Sequence, residues 1–270
     1  MIAQTRNDQM VGLLSGDLQR RCEPNLAWKT ACSAMRMLPG LRGFWPMSSF
    51  NENGDAYDLS GQGRTLTYNG NPTYNYSSLI HYIDLDGTGD YLSRTDEAGL
   101  DILGTESYVA GAAQGLTLGG WFYFKVFPAF PTCLGKHDGV GGNQRSYVIW
   151  IDTGAGNVPV MVVSSNGTAV GQVTVLHTTG LVVDTWYFIV GRFVPSTSLT
   201  IFLDGSGVSN AAGIPASIFN STTAFMIGAR SVPPASFLNG QASLCFLCAA
   251  ALSDSIISAL FQQTRAIFNV

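Results

Sequence analysis

The chain has little charge. Asp, Glu, Lys and Arg make up 12% of its 270 residues, against about a quarter in an average soluble protein. Only 14 residues are basic and the formal net charge is −4, so no extended basic face is available to neutralise phosphates, and we expect no nucleic-acid partner. A surface with few charges also favours contact between subunits, and we predict a homo-oligomer.

Two kinds of apolar segment are also missing from the sequence. Residues Met1 to Asp8 do not form the basic and then apolar stretch of a secretory signal, so we expect synthesis and folding in the cytoplasm. No window approaches the roughly 18 uncharged apolar residues of a membrane-spanning helix, so we expect no membrane insertion.

Cysteine is scarce and irregularly spaced, which argues against a disulfide framework and a zinc site. Cys245 and Cys248 lie three residues apart in an apolar run, and on a strand their sulfurs would face opposite sides. We therefore predict free, mostly buried thiols. The cysteines are Cys22, Cys32, Cys133, Cys245 and Cys248.

Glutamate is equally scarce. Glycoside hydrolases built on a sandwich use acidic residues alternating along one strand, and the four glutamates, at 23, 52, 97 and 106, form no such motif. The scattered His81, His137 and His177 do not have the spacing that orders a nucleophile, and we expect them to be structural or surface residues. We predict that the protein is not an enzyme.

The first 40 residues differ in character from the rest. Apolar residues recur at helical spacing over 8–21 and 25–37, which predicts two short helices separated by Pro24 and ended by Pro39-Gly40. We interpret residues 1–40 as an arm that docks on other proteins. The alternative is a helical lid that packs on the chain's own sandwich.

Residues 41–270 have the pattern of an all-β antiparallel sandwich, with short apolar runs between Gly, Asn, Asp and Pro. A capping Ser253 followed by Asp254 predicts a short C-terminal helix. Strands are predicted at 65–68, 79–85, 90–93, 116–126, 146–152, 158–163, 170–176, 186–194, 199–203, 224–228 and 237–249.

Several local patterns resemble the laminin-G-like, concanavalin A-like jelly-roll family. They include a turn at 58–63, a hairpin at 86–92, a strand at 116–122 and the segment from 186 to 205. The ordered set covers roughly residues 43–265 and implies a jelly-roll β-sandwich with lectin-like binding. The whole sequence also resembles laminin-G-domain proteins of tailed bacteriophages, which implies location in a virion.

The phage resemblance implies a non-enzymatic structural protein, either a capsid decoration or a tail-associated subunit. In this hypothesis residues 1–40 attach to other virion proteins, and the sandwich contacts its own copies or adheres to host surface glycans. The alternative is a soluble carbohydrate-binding lectin-type module.

The family resemblance implies calcium bound by loop carboxylates. Asp58 matches the family's turn, and Asp86 and Asp90 are weaker candidates. The acid expected after Asn239-Gly240 is absent, and Gln241-Ala242-Ser243 stands in its place, which counts against calcium. The alternative is that Asp58 fixes its own turn by accepting backbone N–H bonds.

A glycan site on the sandwich rim needs aromatic rings beside amide and charged partners. Tyr74 and Tyr76 are the candidate aromatic platform, with packing against a turn as the alternative. Residues 137–145 are polar and glycine-rich and predict a flexible loop, in which Asn143 and Arg145 are candidate ligand-binding residues.

Overall fold

The computed structural model describes residues 25–76, 80–107, 112–140 and 142–270. Two antiparallel β-sheets pack face to face, and two α-helices cover the outer side of one of them. The predicted all-β sandwich is therefore confirmed. The helix predicted over 8–21 lies outside the described residues. Over the part of the chain that is described, no helix has the length and apolar character needed to cross a bilayer.

The described residues form fifteen strands. They are β1 (Leu41–Trp45), β2 (Thr67–Asn69), β3 (Thr73–Tyr76), β4 (His81–Asp86), β5 (Tyr91–Arg94), β6 (Leu116–Phe124), β7 (Thr132–Asp138), β8 (Gln144–Asp152), β9 (Val158–Ser164), β10 (Gln172–Leu176), β11 (Trp186–Val194), β12 (Ser198–Leu203), β13 (Ser206–Asn210), β14 (Phe225–Ile227) and β15 (Asn239–Cys248).

The strands divide into two sheets whose order differs from the chain order. The first sheet runs β13-β12-β11-β6-β15-β4-β3, and β1 also pairs with β15. The second sheet runs β10-β9-β8-β7-β14-β5-β2. Neighbours that are far apart in sequence, such as β6 and β15, place loops from distant parts of the chain side by side.

The predicted strands are present with shifts of a few residues at their ends, but one predicted loop is wrong. Residues 137–145 do not form a nine-residue loop, because His137 and Asp138 end β7 while Gln144 and Arg145 begin β8. A hairpin with residues 139–143 between its strands takes the place of the loop.

Both described helices begin with a side-chain cap. Helix α1 (Leu26–Arg36) starts at Asn25, whose Oδ1 accepts the N–H of Trp28 at 2.9 Å. Helix α2 (Asp254–Thr264) starts at Ser253, whose Oγ accepts the N–H of Ile256 at 3.3 Å. These caps satisfy N–H groups that a first turn leaves without helical partners, and they confirm helices near 25–37 and after residue 253.

The two helices cover the outer face of the first sheet with a second apolar core. Trp28 and Met35 of α1 pack with Trp121 and Phe188 of the sheet. Trp121 stacks on Phe268 with ring centroids 4.1 Å apart, and its Nε1 donates to the hydroxyl of Thr264 at 3.0 Å. Residues 25–40, part of the predicted arm, thus lie on the sandwich as a lid would. The domain boundary after residue 40 and the arm's docking role stay predictions.

The main core lies between the sheets and contains buried thiols. Cys133, Cys245 and Cys248 are free and buried, while the free Cys32 is half-buried. Cys245 faces the main core and Cys248 faces the helices, which confirms that their sulfurs lie on opposite sides of β15. The three histidines are all buried, so the surface alternative does not hold for them.

Candidate functional site

Asp58, the first predicted calcium ligand, is engaged in fixing a turn. Its Oδ1 accepts the N–H groups of Phe44 at 3.0 Å and Ser60 at 2.8 Å. Its Oδ2 accepts the N–H of Arg64 at 2.9 Å and the hydroxyl of Ser60 at 2.8 Å. Both oxygens therefore face hydrogen-bond donors, as in the turn-fixing alternative.

Asp86 and Asp90, the other two candidates, lie together on the β4–β5 hairpin. Asp90 accepts the N–H of Asn71 at 2.5 Å and that of Asp86 at 3.2 Å, which links β4 to the loop before β3. Asp86 accepts the N–H and the hydroxyl of Thr88 at 2.7 and 2.8 Å. The backbone N–H of Thr88 is the main reason that the pKa of Asp86 is lowered.

The residues present do not fit a calcium ion, which takes about six to eight oxygen ligands. Asp58 belongs to a different turn from Asp86 and Asp90, and its oxygens are used. Within the described ranges no three His, Cys, Asp or Glu side chains are grouped so as to hold a metal. Gln241, the first of the three residues that replace the expected acid, donates its amide N–H to Asp84 at 3.2 Å.

The same region forms a polar hollow at the edge of the first sheet. Asp84 and Asp86 are two residues apart on β4, so their side chains leave the same face of the strand. The hollow has a volume of about 400 Å³. It is lined by Asn71, Thr73, Asn75, Asp84, Asp86, Asp90 and Lys125.

A second hollow, of about 540 Å³, adjoins the first and shares Asn71 and Thr73 with it. We call the two together the polar cleft. The second hollow has aromatic walls formed by Phe50, Tyr68 and Tyr74. It therefore adds apolar surface to a site otherwise made of amides, hydroxyls and carboxylates.

Tyr74, a predicted glycan-binding residue, lies in this cleft on β3. Its ring stacks on that of Phe50 with centroids 4.4 Å apart, and its hydroxyl donates to the carbonyl of Gly54 at 2.8 Å. Phe50 is 39% exposed and offers the more accessible ring. The side chain of Tyr76, the other predicted tyrosine, lies outside the described residues.

The groups that line the cleft are held in place by their neighbours. Lys125 forms an ion pair with Asp84 at 2.6 Å, and Gln241 holds the second carboxylate oxygen. Gly70 has φ +79°, and a Cβ there would lie 2.4 Å from the carbonyl oxygen of Gly89. Glycine is therefore required where the loop before β3 meets the β4–β5 hairpin. A site with fixed polar groups loses little entropy on binding.

The electrostatics of the cleft suit binding better than acid catalysis. A glycosidase needs one carboxyl group with a raised pKa to donate a proton, whereas the pKa of Asp86 is lowered and Asp84 is paired with Lys125. Ionised carboxylates accept hydrogen bonds from hydroxyl groups.

Asn143 and Arg145, the remaining predicted ligand-binding residues, lie elsewhere. Both belong to the β7–β8 hairpin of the second sheet, where Arg145 Nη2 donates to the carbonyl of Gly139 at 2.9 Å. They do not line the polar cleft. The predicted glycan-binding residues are thus divided between two places.

Sequence reasoning missed most of the residues that line the cleft, among them Asn71, Thr73, Asn75, Asp84 and Lys125. Two signals were available. Residues 68–76 are rich in asparagine and tyrosine, and Asp84-Leu85-Asp86 has the spacing that puts two carboxylates on one strand face.

Solved structures of similar fold include domains of two toxins. The binding domain of Paraclostridial Mosquitocidal Protein 1 superposes with a TM-score of 0.59 at 10% identity, over 84% of this chain and 52% of that one. A binding domain of botulinum neurotoxin DC in complex with SialylT gives 0.58 at 12% identity, over 85% and 52%. The present chain thus spans about half the length of these toxin domains.

A third structure matches over nearly its whole length. It is domain 4 of AbnA, an extracellular arabinanase of Geobacillus stearothermophilus, in complex with arabinotriose. Its TM-score is 0.59 at 14% identity, over 83% of this chain and 99% of that one. At such identities the likeness concerns the fold alone. No curated protein matches the sequence.

A family model decides the assignment. The Laminin_G_3 model, described as the concanavalin A-like lectin/glucanases superfamily, matches residues 86–257, more than half of the chain. Those residues contain most strands of both sheets. The protein is therefore a member of the concanavalin A-like lectin/glucanase superfamily.

Proposed function

We propose that the protein is a non-catalytic saccharide-binding module and that the polar cleft is its binding site. The observation that carries this proposal is the convergence of Asp84, Asp86 and the amides of Asn71 and Asn75 on one cleft beside the exposed ring of Phe50. Carboxylate and amide groups bind sugar hydroxyls, and an aromatic ring packs against the apolar face of a sugar.

The dimensions of the cleft support this function. Each hollow falls in the range of about 300 to 1,000 Å³ typical of small-molecule sites, and the two adjoin, which suits a ligand longer than one sugar. Among proteins of this fold, domain 4 of the arabinanase was solved with arabinotriose. That ligand is a short oligosaccharide of the kind that we propose for this cleft.

Each lining group has a distinct role in the proposal. Asp84, fixed by Lys125 and Gln241, accepts hydrogen bonds from sugar hydroxyls. The side chains of Asn71 and Thr73 make no hydrogen bond within the described part of the chain and are available to a ligand. Phe50 supplies the apolar contact.

A glycan array with purified full-length protein tests the proposal, followed by titration calorimetry of the best ligand. We expect Asp84→Asn and Phe50→Ala to weaken binding by about tenfold or more, the effect of losing one charge-assisted hydrogen bond or one aromatic contact. Asp254→Asn is the matched control, because Asp254 is 78% exposed at the start of α2.

Chelation of calcium is expected to leave the binding unchanged, since the carboxylates do not fit that ion. Folded wild-type protein that binds no saccharide would overturn the proposal. So would an Asp84→Asn variant that binds as tightly as the control.

On separate grounds we propose that the module is a virion component, made in the host cytoplasm and attached through its N-terminal segment to other virion proteins. The phage resemblance and the low charge support this role. Apolar side chains are also exposed to a degree that suits contact with further subunits or copies of the chain. The most exposed are Val170, Met37, Leu26, Val140 and Val182.

Deletion of residues 1–24 tests the attachment role. The deletion must stop there, because Trp28, Ala31 and Met35 belong to the apolar core under α1. We expect the truncated protein to keep its thermal unfolding transition and to lose attachment in a particle-binding assay. Attachment that survives the deletion would contradict the proposal, and sedimentation of the intact chain tests whether it forms a homo-oligomer.

A further inference from the structure

A second cluster of polar side chains lies on the outer face of the second sheet, away from the polar cleft. Trp150 stands on this face, next to the buried valines of β8 and β9. The guanidinium of Arg230 lies over the Trp150 ring, with Cζ 4.1 Å from the centroid. The ring of His137 meets the same indole edge-on, with centroids 5.7 Å apart.

Two loops, the 139–143 hairpin loop and the 229–236 loop, border this cluster. The N–H of Ser231 donates to the carbonyl of His137 at 2.9 Å, which folds the loop after β14 back across the sheet. A Cβ on Gly139 would touch the ring of His137 at 3.3 Å and the guanidinium of Arg145 at 3.7 Å. Arg145 therefore also borders the cluster.

The cluster has an excess of positive charge. Within the described residues no carboxylate forms an ion pair with Arg230 or Arg145. The one nearby acid, Asp138, is buried and caps the N–H of Val140 at 2.9 Å. Two guanidinium groups thus face one carboxylate in a chain whose net charge is −4.

The pKa of His137 is affected by the same positive charges. Burial, followed by the charges of Arg230 and Arg145, lowers its pKa to about 3, so the ring is neutral at physiological pH. Its Nε2 lies 3.3 Å from the amide nitrogen of Gln172, and its buried Nδ1 has no hydrogen-bond partner within the described part of the chain. With Gln172 donating to Nε2, the ring proton is on Nδ1.

Arg230 is unusual in being half-buried without an ion-pair partner among the residues that the structure describes. Buried charges in proteins are normally paired, because removing them from water is costly. The indole ring stabilises the cation only in part. Its planar guanidinium, with Cζ over that ring, carries N–H groups at its edge in the geometry that matches a carboxylate.

We propose that Arg230 and Arg145, beside Trp150, form a second saccharide subsite that recognises the carboxylate of an acidic sugar such as a uronic acid. Gln172 lies next to the site and offers an amide to the sugar hydroxyls. The subsite is separate from the polar cleft, because none of its residues lines the cleft. The proposal for the subsite can therefore be tested independently of the proposal for the cleft.

Titration of full-length protein with methyl glucuronide and with methyl glucoside tests the subsite, because the two probes differ only in the carboxylate. We expect the wild type to prefer the glucuronide by about tenfold, the effect of one charge-assisted hydrogen-bonded pair. Arg230→Gln should abolish the preference. Arg265→Gln, which removes another arginine lying over an aromatic ring, should keep it.

A wild type without preference, or an Arg230→Gln variant that retains it, overturns the proposal. If Arg230→Gln fails to fold, Arg145→Gln is titrated in its place, with the same expectation and the same contradicting outcome. A parallel arm uses phosphatidylserine vesicles, since Val140 and Val232 on the adjacent loops are exposed. Vesicle binding that requires Arg230, without binding of the glucuronide, would assign the cluster to a lipid surface and overturn the saccharide subsite.

Discussion

The outer faces of the two sheets are covered to different extents. Helices α1 and α2 close the face of the first sheet, where Trp121 is fully buried. The second sheet presents Trp150, half-buried beneath Arg230 and a loop. One face is thus completed by the chain itself, while the other keeps an aromatic ring and charged groups within reach of a ligand. The difference indicates that the helices stabilise most of the outer face of the first sheet and leave only its β3–β4 edge, with the polar cleft, uncovered, whereas no helix of the described residues covers the outer face of the second sheet.

Replacing the two tryptophans should show this contrast most strongly. Trp121→Ala removes the ring that stacks on Phe268 and bonds to Thr264, and we expect a loss of about 3 to 5 kcal/mol in the free energy of unfolding. Trp150→Ala, at the half-buried site, should lose about 1 to 2 kcal/mol. Urea unfolding of both variants measures the difference, and equal losses would remove the distinction between the faces.

The inner face of the second sheet provides the next largest effect. Lys136 is fully buried there and pairs with Asp96 at 2.5 Å and with Asp101. Lys136→Ala leaves the two partly buried carboxylates without their cation, and we expect a loss of about 3 kcal/mol in the free energy of unfolding.

The control is Asp254→Ala, which breaks the pair with Arg192 at the surface and should cost less than about 1 kcal/mol. Chemical denaturation of both variants provides the test. If the Lys136 variant were as stable as the control, the buried cluster would contribute nothing to the sandwich.

Acid should weaken both sheets through their buried histidines. Burial beneath α1 lowers the pKa of His81 to about 4. Burial, together with the charges of Arg230 and Arg145, lowers the pKa of His137 to about 3. The unfolded chain takes up these protons near pH 6.5, so stability is complete above that pH and is lost as the pH falls. His137 alone should account for about 2 kcal/mol at about pH 5.

Unfolding free energies measured at neutral pH and at about pH 5 test this expectation for His137→Gln, which should flatten the dependence. His177→Gln is the comparison variant, because burial lowers the pKa of His177 as well. His177 lies at the end of the sheet away from Arg230 and Arg145. An unchanged acid slope in His137→Gln would show that the ring is not held neutral by its surroundings.

The sequence predicted the strands better than the sites, for a physical reason. Strands such as β11 and β12 carry their own signal, since a run of β-branched and aromatic residues favours an extended, half-buried backbone. β3 and β7 were harder, because Tyr74 and Lys136 belong to segments rich in polar residues that only pairing with β4 and β8 makes into strands. The loop predicted over residues 137–145 was wrong for the same reason, because the polar residues at its two ends become strand through the pairing of β7 with β8.

What the sequence determined by itself were the properties encoded by neighbours along the chain: strand content, helix caps at Asn25 and Ser253, and alternation that separates Cys245 from Cys248. What only the tertiary structure decided is which side chains meet. The polar cleft joins residues from 50 to 125, and the cluster around Trp150 joins residues from 137 to 230. Such meetings depend on the order and register of distant strands, which follow from burying two apolar faces at once and leave no local mark in the sequence.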